Sequence, residues 1–469
     1  MFRVLTIFLF MCNGVLASET FNGKWQGELY INKQLTLPLV FHLNTLSDTP
    51  SASIDSPQQR AYGIPVSRVE IKGNTIFLDM AAIGATFDGT LEQTSLKGTF
   101  SQMGREFNLE MSRLNDNQLH EYTISQRRPQ EPVAPFPYLV EEVIFDHPTE
   151  SFRLAGTLTR PKGKGVYPAV LLISGSGPQD RDETLFGHKP FMVIADHLTK
   201  QGYAVLRVDD RGVGQSQGVY GDTTLEEFTT DIAAGMHYLV SRSDIAESAI
   251  GLAGHSEGAM TGAMYIAQQV QRAKLPPAAF LIMLAGVGVT GKQLWLDQQF
   301  AAVEYLPHAM RNKVHKALAD AVKMAEQGRK AEKIERYLIE KDVGKEQAVL
   351  NARYLSSRWG RSFLSYDPHA IVTHISVPVL VLHGSLDKQV DAARNLQGLK
   401  IAFERANNPQ VTFKQIQGVN HLLQPAKTGM PDEYARIDET VSLHVLSNLS
   451  KWLNAQQNTS IENETKYSE

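Results

Sequence analysis

The stretch Gly254-His255-Ser256-Glu257-Gly258 holds the residues best suited to covalent chemistry. It follows an apolar run at residues 249–253 and precedes a helix-like run at 259–268. A serine in that setting, with glycine two positions to either side, is expected on a sharp turn between strand and helix. The turn forces a strained backbone angle on the serine, and side chains at the two glycine positions would strike neighbouring backbone. The helix that follows aims the positive end of its dipole at whatever negative oxygen develops beside the serine. The competing reading is a glycine-rich strand end with a surface serine.

A serine hydroxyl is a weak nucleophile and needs a base, and the base needs an acid to orient it. Residues 379–387, Val-Leu-Val-Leu-His-Gly-Ser-Leu-Asp, read as a buried strand with a turn that carries Asp387. Residues 411–416 read as another strand, and Gly418-Val419-Asn420-His421 as the turn after it. Both groups then fall just past strand carboxyl ends, where open α/β sheets assemble their sites. We take Ser256 as nucleophile, His421 as base and Asp387 as acid, with Asp391 and Asp367 in reserve; Asp391 is expected in the following helix. The other histidines receive structural readings. His255 is the variable residue of the turn, His383 packs at a strand end, and His369 and His374 precede the strand.

A tetrahedral intermediate needs two N–H donors. One is assigned to Glu257, directly after the nucleophile. The other is assigned to Ser176 in the loop Ser174-Gly175-Ser176-Gly177-Pro178, whose glycines let backbone approach a substrate. That loop lacks the lysine and spacing of a phosphate cradle, and Arg211-Gly212-Val213-Gly214 lacks the third glycine of a dinucleotide fingerprint. We read the latter as a structural turn.

The elements that must position these groups alternate. Continuous apolar runs at 169–173, 204–208, 250–253, 280–284 and 379–382 predict strands buried on both faces, as in a parallel sheet between helices. Leu225, Phe228, Ile232, Met236 and Leu239 form a helical stripe facing that sheet, and Val441, Val445, Leu449 and Trp452 form another. Both are core. From 289 to 376 the alternation stops in favour of helix-forming residues, far longer than an ordinary connection; this predicts a helical insertion over the site. Residues 21–113 alternate in the manner of antiparallel strands, with hairpin turns expected at Lys72-Gly73-Asn74 and Lys97-Gly98. Trp25 between two glycines is read as a β-core residue. Four prolines between 129 and 137 suit an extended linker.

The chain has 469 residues, 42% hydrophobic and 20% charged, and a formal net charge of −4. Such a balance carries no basic footprint for nucleic acid and no polybasic membrane anchor. Arg3, an apolar run at 4–11 and Val15-Leu16-Ala17 before Ser18 read as an export signal, too short to span a bilayer. A lipid anchor on Cys12 is discounted because Met11 before it is too large. Cys12 is the only cysteine, so the exported chain would have no disulfide, no thiolate metal site and no cysteine nucleophile. The expectation is an exported, periplasmic or secreted protein without metal or cofactor. The sequence does not specify an oligomeric state.

Together, 254–258, the Ser-Gly-Ser-Gly-Pro-Gln-Asp-Arg-Asp stretch at 174–182, the stretch Asp209-Asp210-Arg211-Gly212-Val213-Gly214-Gln215-Ser216, and the Asp387 and His421 turns resemble the α/β-hydrolase superfamily. They are most similar to its bacterial two-domain carboxylesterases, with an N-terminal β domain and a helical cap; the serine aminopeptidase-like branch is a near relation. The 174–182 stretch is the more specific pointer. One departure is Ser174, where many members place histidine before the oxyanion glycine. Arg181 and Asp182 fit a structural ion pair as well as substrate contacts. The resemblance implies an α/β-hydrolase fold with a mostly parallel sheet, and a cofactor-free serine esterase acting on short or medium acyl esters. The division expected is a signal peptide at 1–17, a β domain at 18–125, a linker at 126–138, and a hydrolase domain at 139–455 with its cap at 289–376. A disordered tail is expected at 456–469.

Three functions compete. Ester cleavage through an acyl-enzyme on a small-molecule substrate leads. Peptidase, aminopeptidase or thioesterase action uses the same triad, and a peptidase would need a charged group for the peptide amine, which the cap does not reveal. A ligand-binding protein with an inert hydrolase domain would have no need of a complete triad in the right chain order.

Overall fold

A computed structural model describes residues 21–32, 35–46, 50–59, 61–102, 104–126, 128–269 and 274–466. The stretch 1–17, read above as an export signal, lies outside them. The chain divides into two compact units: 1–129 with 185–188, and 130–184 with 189–469.

The first unit is a nine-stranded antiparallel sheet between Gly23 and Arg113. Its first four strands form one meander and its last five another. They join where Gly23–Asn32 pairs with Arg105–Arg113. Alternating side chains supply a core of Trp25, Phe41, Leu78 and Phe87, all essentially without solvent contact, as half-buried strands require. Trp25 also donates its indole N–H to the Phe21 carbonyl at 2.8 Å, so its polar atom is satisfied within the core. Gly73-Asn74 does turn the chain between Arg68–Lys72 and Thr75–Met80. Lys97-Gly98 does not. It lies inside the strand Ser95–Gln102, opposite Gly89 and Thr90. A Cβ on Gly98 would come within 2.2 Å of the Asp88 carbonyl oxygen, so this glycine serves close backbone approach, a use that turn-seeking rules cannot separate from a hairpin. A helix, Asp116–Gln126, follows the sheet.

The second unit is built on an eight-stranded sheet. In spatial order its strands are Leu139–Asp146, Arg153–Arg160, Ala204–Val208, Tyr167–Ile173, Ile245–His255, Leu281–Leu284, Val379–Gly384 and Val411–Ile416. The first two pairings are antiparallel and the other five parallel. Alternate residues of the central strands face opposite cores. Leu252, Leu281 and Val381 join the stripe Ile232, Met236 and Leu239 on one side. Ala253, Ile282 and Leu382 join Val445, Leu449 and Trp452 on the other. The helix Leu225–Val240 begins with a capping box between Thr224 and Glu227, which satisfies two N–H groups at its open end.

Six helices between Gly291 and Val372 separate the strand Leu281–Leu284 from Val379–Gly384. They have an apolar cluster of their own around Leu294, Val314, Leu318, Ile334 and Leu338. Met260 and Met264 of the helix Glu257–Gln269 belong to the same cluster, which seats the insertion beside the helix that follows Ser256. The last helix runs from Leu443 to Lys466, through residues read from the sequence as a disordered tail. That stretch is polar but contains no proline or glycine, so nothing in the backbone chemistry interrupts a helix begun on the buried stripe.

Candidate active site

Ser256 stands between the end of its strand and the first turn of the helix Glu257–Gln269, with φ at 54°. A non-glycine residue adopts that left-handed angle only when its surroundings enforce it. Here the Ser256 N–H donates to the Leu284 carbonyl at 2.8 Å, and its carbonyl accepts from Ala259 at 3.0 Å. A Cβ on Gly254 would lie 2.1 Å from the Gly258 carbonyl oxygen, and one on Gly258 2.2 Å from that of Ile173. Both glycines are therefore required by close backbone approach.

Asp387 and His421 meet as the chain order suggested. The His421 Nδ1–H donates to Asp387 Oδ2 at 2.8 Å. The other oxygen of Asp387 accepts the N–H groups of Gln389 at 2.9 Å and Val390 at 2.8 Å. Burial alone would raise the pKa of this carboxyl; the charge and hydrogen bond of His421, with the Val390 N–H, hold it below the usual carboxylate range. The His421 turn is clamped by Asn420 and Gln424, which exchange three hydrogen bonds of 2.9 to 3.0 Å. None of the described hydrogen bonds joins the Ser256 hydroxyl to the His421 imidazole in this conformation. The two loops are nevertheless tied through His255, whose ring centroid lies 4.9 Å from that of His421.

The reserve acids do other work. Asp391 caps the helix Ala392–Arg405 by accepting from Arg394 N, and Asp367 caps Pro368–Val372 by accepting from His369 N. His383 donates from Nε2 to the Gly286 carbonyl at 2.7 Å; burial pushes its pKa down to about 4, so it stays neutral. Arg181 grips both oxygens of Asp209, and Asp182 pairs with Arg207, so both are structural ion pairs.

Glu257 opens its helix, so its N–H has no partner within that helix. In the facing loop the Gly175 N–H is already taken by Glu183 at 2.7 Å, which leaves Ser176 as the next donor along. The Glu257 side chain points back into the protein and accepts from the Trp359 indole of the insertion at 3.1 Å. Burial pushes its carboxyl pKa up to about 8, and burial likewise raises Asp210, hydrogen-bonded to the Ser174 hydroxyl, to about 7. A neutral Glu257 matters here, since a second negative charge beside a developing oxyanion would oppose it. A cavity of about 60 Å³ lies among Ser174, Gly175, Asp210, Tyr220, Phe228 and Glu257.

Sequence reasoning missed Glu183, Asp210 and Trp359, and assigned His255 no role. Only position relative to the elbow could have singled out His255; the rest are brought in by loops whose course the sequence does not reveal. Among the described residues no group of three or more His, Cys, Asp or Glu is arranged to hold a metal ion. No described helix is long and apolar enough to cross a membrane.

A mixed, largely parallel sheet with a serine elbow after a central strand, and an acid and a histidine after later ones, defines an α/β hydrolase. The model of the serine aminopeptidase family, S33, matches residues 189–425, and the chain belongs to that family. Esterase EstD of Thermotoga maritima is 28% identical over 301 residues, which cover 64% of this chain and 65% of that enzyme; the match thus spans somewhat less than two thirds of the relative. Among solved structures, the Pyrococcus furiosus esterase Pf2001 is 15% identical with a TM-score of 0.43, covering 70% of this chain and 97% of that one. Est1E of Butyrivibrio proteoclasticus, solved with ferulic acid, is 18% identical with a TM-score of 0.40, covering 68% and 99%.

Proposed function

We propose that this protein is a serine esterase that cleaves short to medium acyl esters through an acyl-enzyme. Ser256 attacks the acyl carbon while His421 Nε2 takes its proton. Asp387 holds the imidazole in the tautomer with Nδ1 protonated and stabilises the imidazolium. The Glu257 and Ser176 N–H groups receive the oxyanion. His421 returns the proton to the leaving alcohol, and water releases the acyl group by the same steps. The observation that carries this reading is the buried 2.8 Å Asp387–His421 hydrogen bond in the loop that the elbow's His255 also holds. The serine-to-histidine contact is one that commonly tightens only with substrate in place.

Aminopeptidase action is the second reading, favoured by the family's description. It needs an anion for the substrate's ammonium group. The carboxyls nearest the elbow are buried, and Glu257 is neutral at pH 7, which favours an uncharged acyl group.

Two measurements test the proposal. A fluorophosphonate probe should label the wild type and not Ser256→Ala; undiminished label in the variant would assign the nucleophile elsewhere. A panel of p-nitrophenyl esters, acyl thioesters and amino-acyl amides should give its highest kcat/KM on short esters. A preference for amino-acyl amides would replace the esterase reading. We also propose export, on the strength of residues 1–17; cell fractionation should find the protein outside the cytoplasm, shortened at its N-terminus.

A further inference from the structure

Behind the Asp387–His421 pair sits a second carboxylate and imidazole that the proposed mechanism does not use. His255 and Glu183 are 4% and 1% exposed. Glu183 Oε1 lies 2.9 Å from His255 Nδ1 and also accepts the Gly175 N–H at 2.7 Å. His255 Nε2 lies 2.9 Å from the His421 carbonyl oxygen. A carbonyl oxygen can only accept, so Nε2 must carry a proton. With Glu183 as a carboxylate, its oxygen accepts too, and Nδ1 then carries a proton as well. The ring is then an imidazolium, fully buried and neutralised by Glu183.

We propose that this Glu183–His255 ion pair is a positioning device that fixes three parts of the site against one another: the oxyanion loop, the nucleophile elbow and the loop bearing the base. It reaches the oxyanion loop through the Gly175 N–H. It stands in the elbow because His255 directly precedes Ser256. It reaches the base through the His421 backbone, leaving that residue's ring free for proton transfer.

The backbone carries a cost for placing it. Glu183 adopts φ of 51°, a left-handed conformation that a glutamate keeps only when surrounding structure enforces it. Its loop is braced on either side. Asp180 accepts from Asp182 N and Thr184 N, and Asp182 pairs with Arg207. Burial opposes the charge on His255, but the Glu183 carboxylate and the His421 carbonyl together raise its pKa above the ordinary histidine value, in agreement with the donor count.

The inference rests on the assignment of Ser256 and His421 given above, and its tests are separable from it. In wild-type protein with 15N-labelled histidine, both ring nitrogens of His255, assigned by comparison with His255→Gln, should show the imidazolium signature at pH 8. A neutral tautomer at that pH would overturn the proposal whatever Ser256 does. Glu183→Gln keeps the shape and the contact to Gly175 but removes the charge that holds the second proton. Its kcat on p-nitrophenyl acetate, counted per fluorophosphonate-reactive site, should fall about 10- to 100-fold, the scale of displaced rather than deleted groups. KM should change less than about threefold, and Glu183→Asp should recover part of the loss. Unchanged kcat per reactive site, with only a lower melting temperature, would reduce the pair to a core contact and overturn the proposal. Should Glu183→Gln fail to fold, the labelled wild-type measurement still decides. Absence of fluorophosphonate labelling in the wild type would instead strike the esterase assignment and leave the protonation state of His255 standing.

Discussion

A buried carboxylate must find its hydrogen bonds inside the protein, and Asp387 finds three. Two come from backbone N–H groups and fix its plane; the third comes from His421 and sets the tautomer. Asp387→Asn should therefore fold with little change but present an amide N–H where His421 needs an acceptor. We expect kcat to fall about 10⁴-fold with KM nearly unchanged, measured by steady-state hydrolysis of p-nitrophenyl acetate; a loss under tenfold would remove Asp387 from the triad. Glu257 gives a prediction about pH. Its pKa is near 4.5 unfolded and about 8 folded, so the native state holds the extra proton between those values. The stability this provides is complete below pH 4.5 and is lost as pH rises through 8. Urea midpoints should decline from pH 6 to pH 9 in the wild type, and decline less in Glu257→Gln. Equal slopes would show that the carboxyl is ionised in the native state.

The strand Ile245–His255 is the element on which the site depends, because it ends in the elbow and is paired on both sides by parallel neighbours. Leu252 within it is fully buried. Leu252→Ala should cost about 3 kcal/mol, in the range for a large-to-small core change, read from denaturant unfolding. The insertion meets the elbow at the Trp359 contact with Glu257. Trp359→Ala should change the ratio of kcat/KM between butyrate and octanoate esters by about threefold or more, while the fluorophosphonate labelling rate of Ser256 moves less. An unaltered ratio would mean that this part of the insertion does not line the acyl path. The insertion's outline was legible from its length and helix-forming composition. Its register was not, since which of its aromatic residues reaches the elbow depends on packing among six helices.

Across the whole chain, one cysteine in 469 residues excludes any intramolecular disulfide. Each unit rests on apolar cores of its own, large enough to need no covalent staple. The melting temperature and the kcat should be the same with and without dithiothreitol. A shift on reduction would mean that Cys12 is retained and bridges two chains, against the removal of residues 1–17 proposed above.

The sequence by itself determined the order of the candidate groups along the chain. Periodicity marked the buried strands, and chain order after each strand end marked Ser256, Asp387 and His421, because those signals are local. It also determined that Gly254 and Gly258 flank the serine, although only the tertiary structure supplied the 2.1 and 2.2 Å approaches that exclude a side chain there. Local rules failed at Gly98, where a neighbouring strand outweighed composition. Tertiary structure alone decided what His255 does. A carboxylate 72 residues earlier and a carbonyl 166 residues later converge on one imidazole. No pattern in the chain records that meeting, because it arises from where two loops lie once the sheet has closed beneath them.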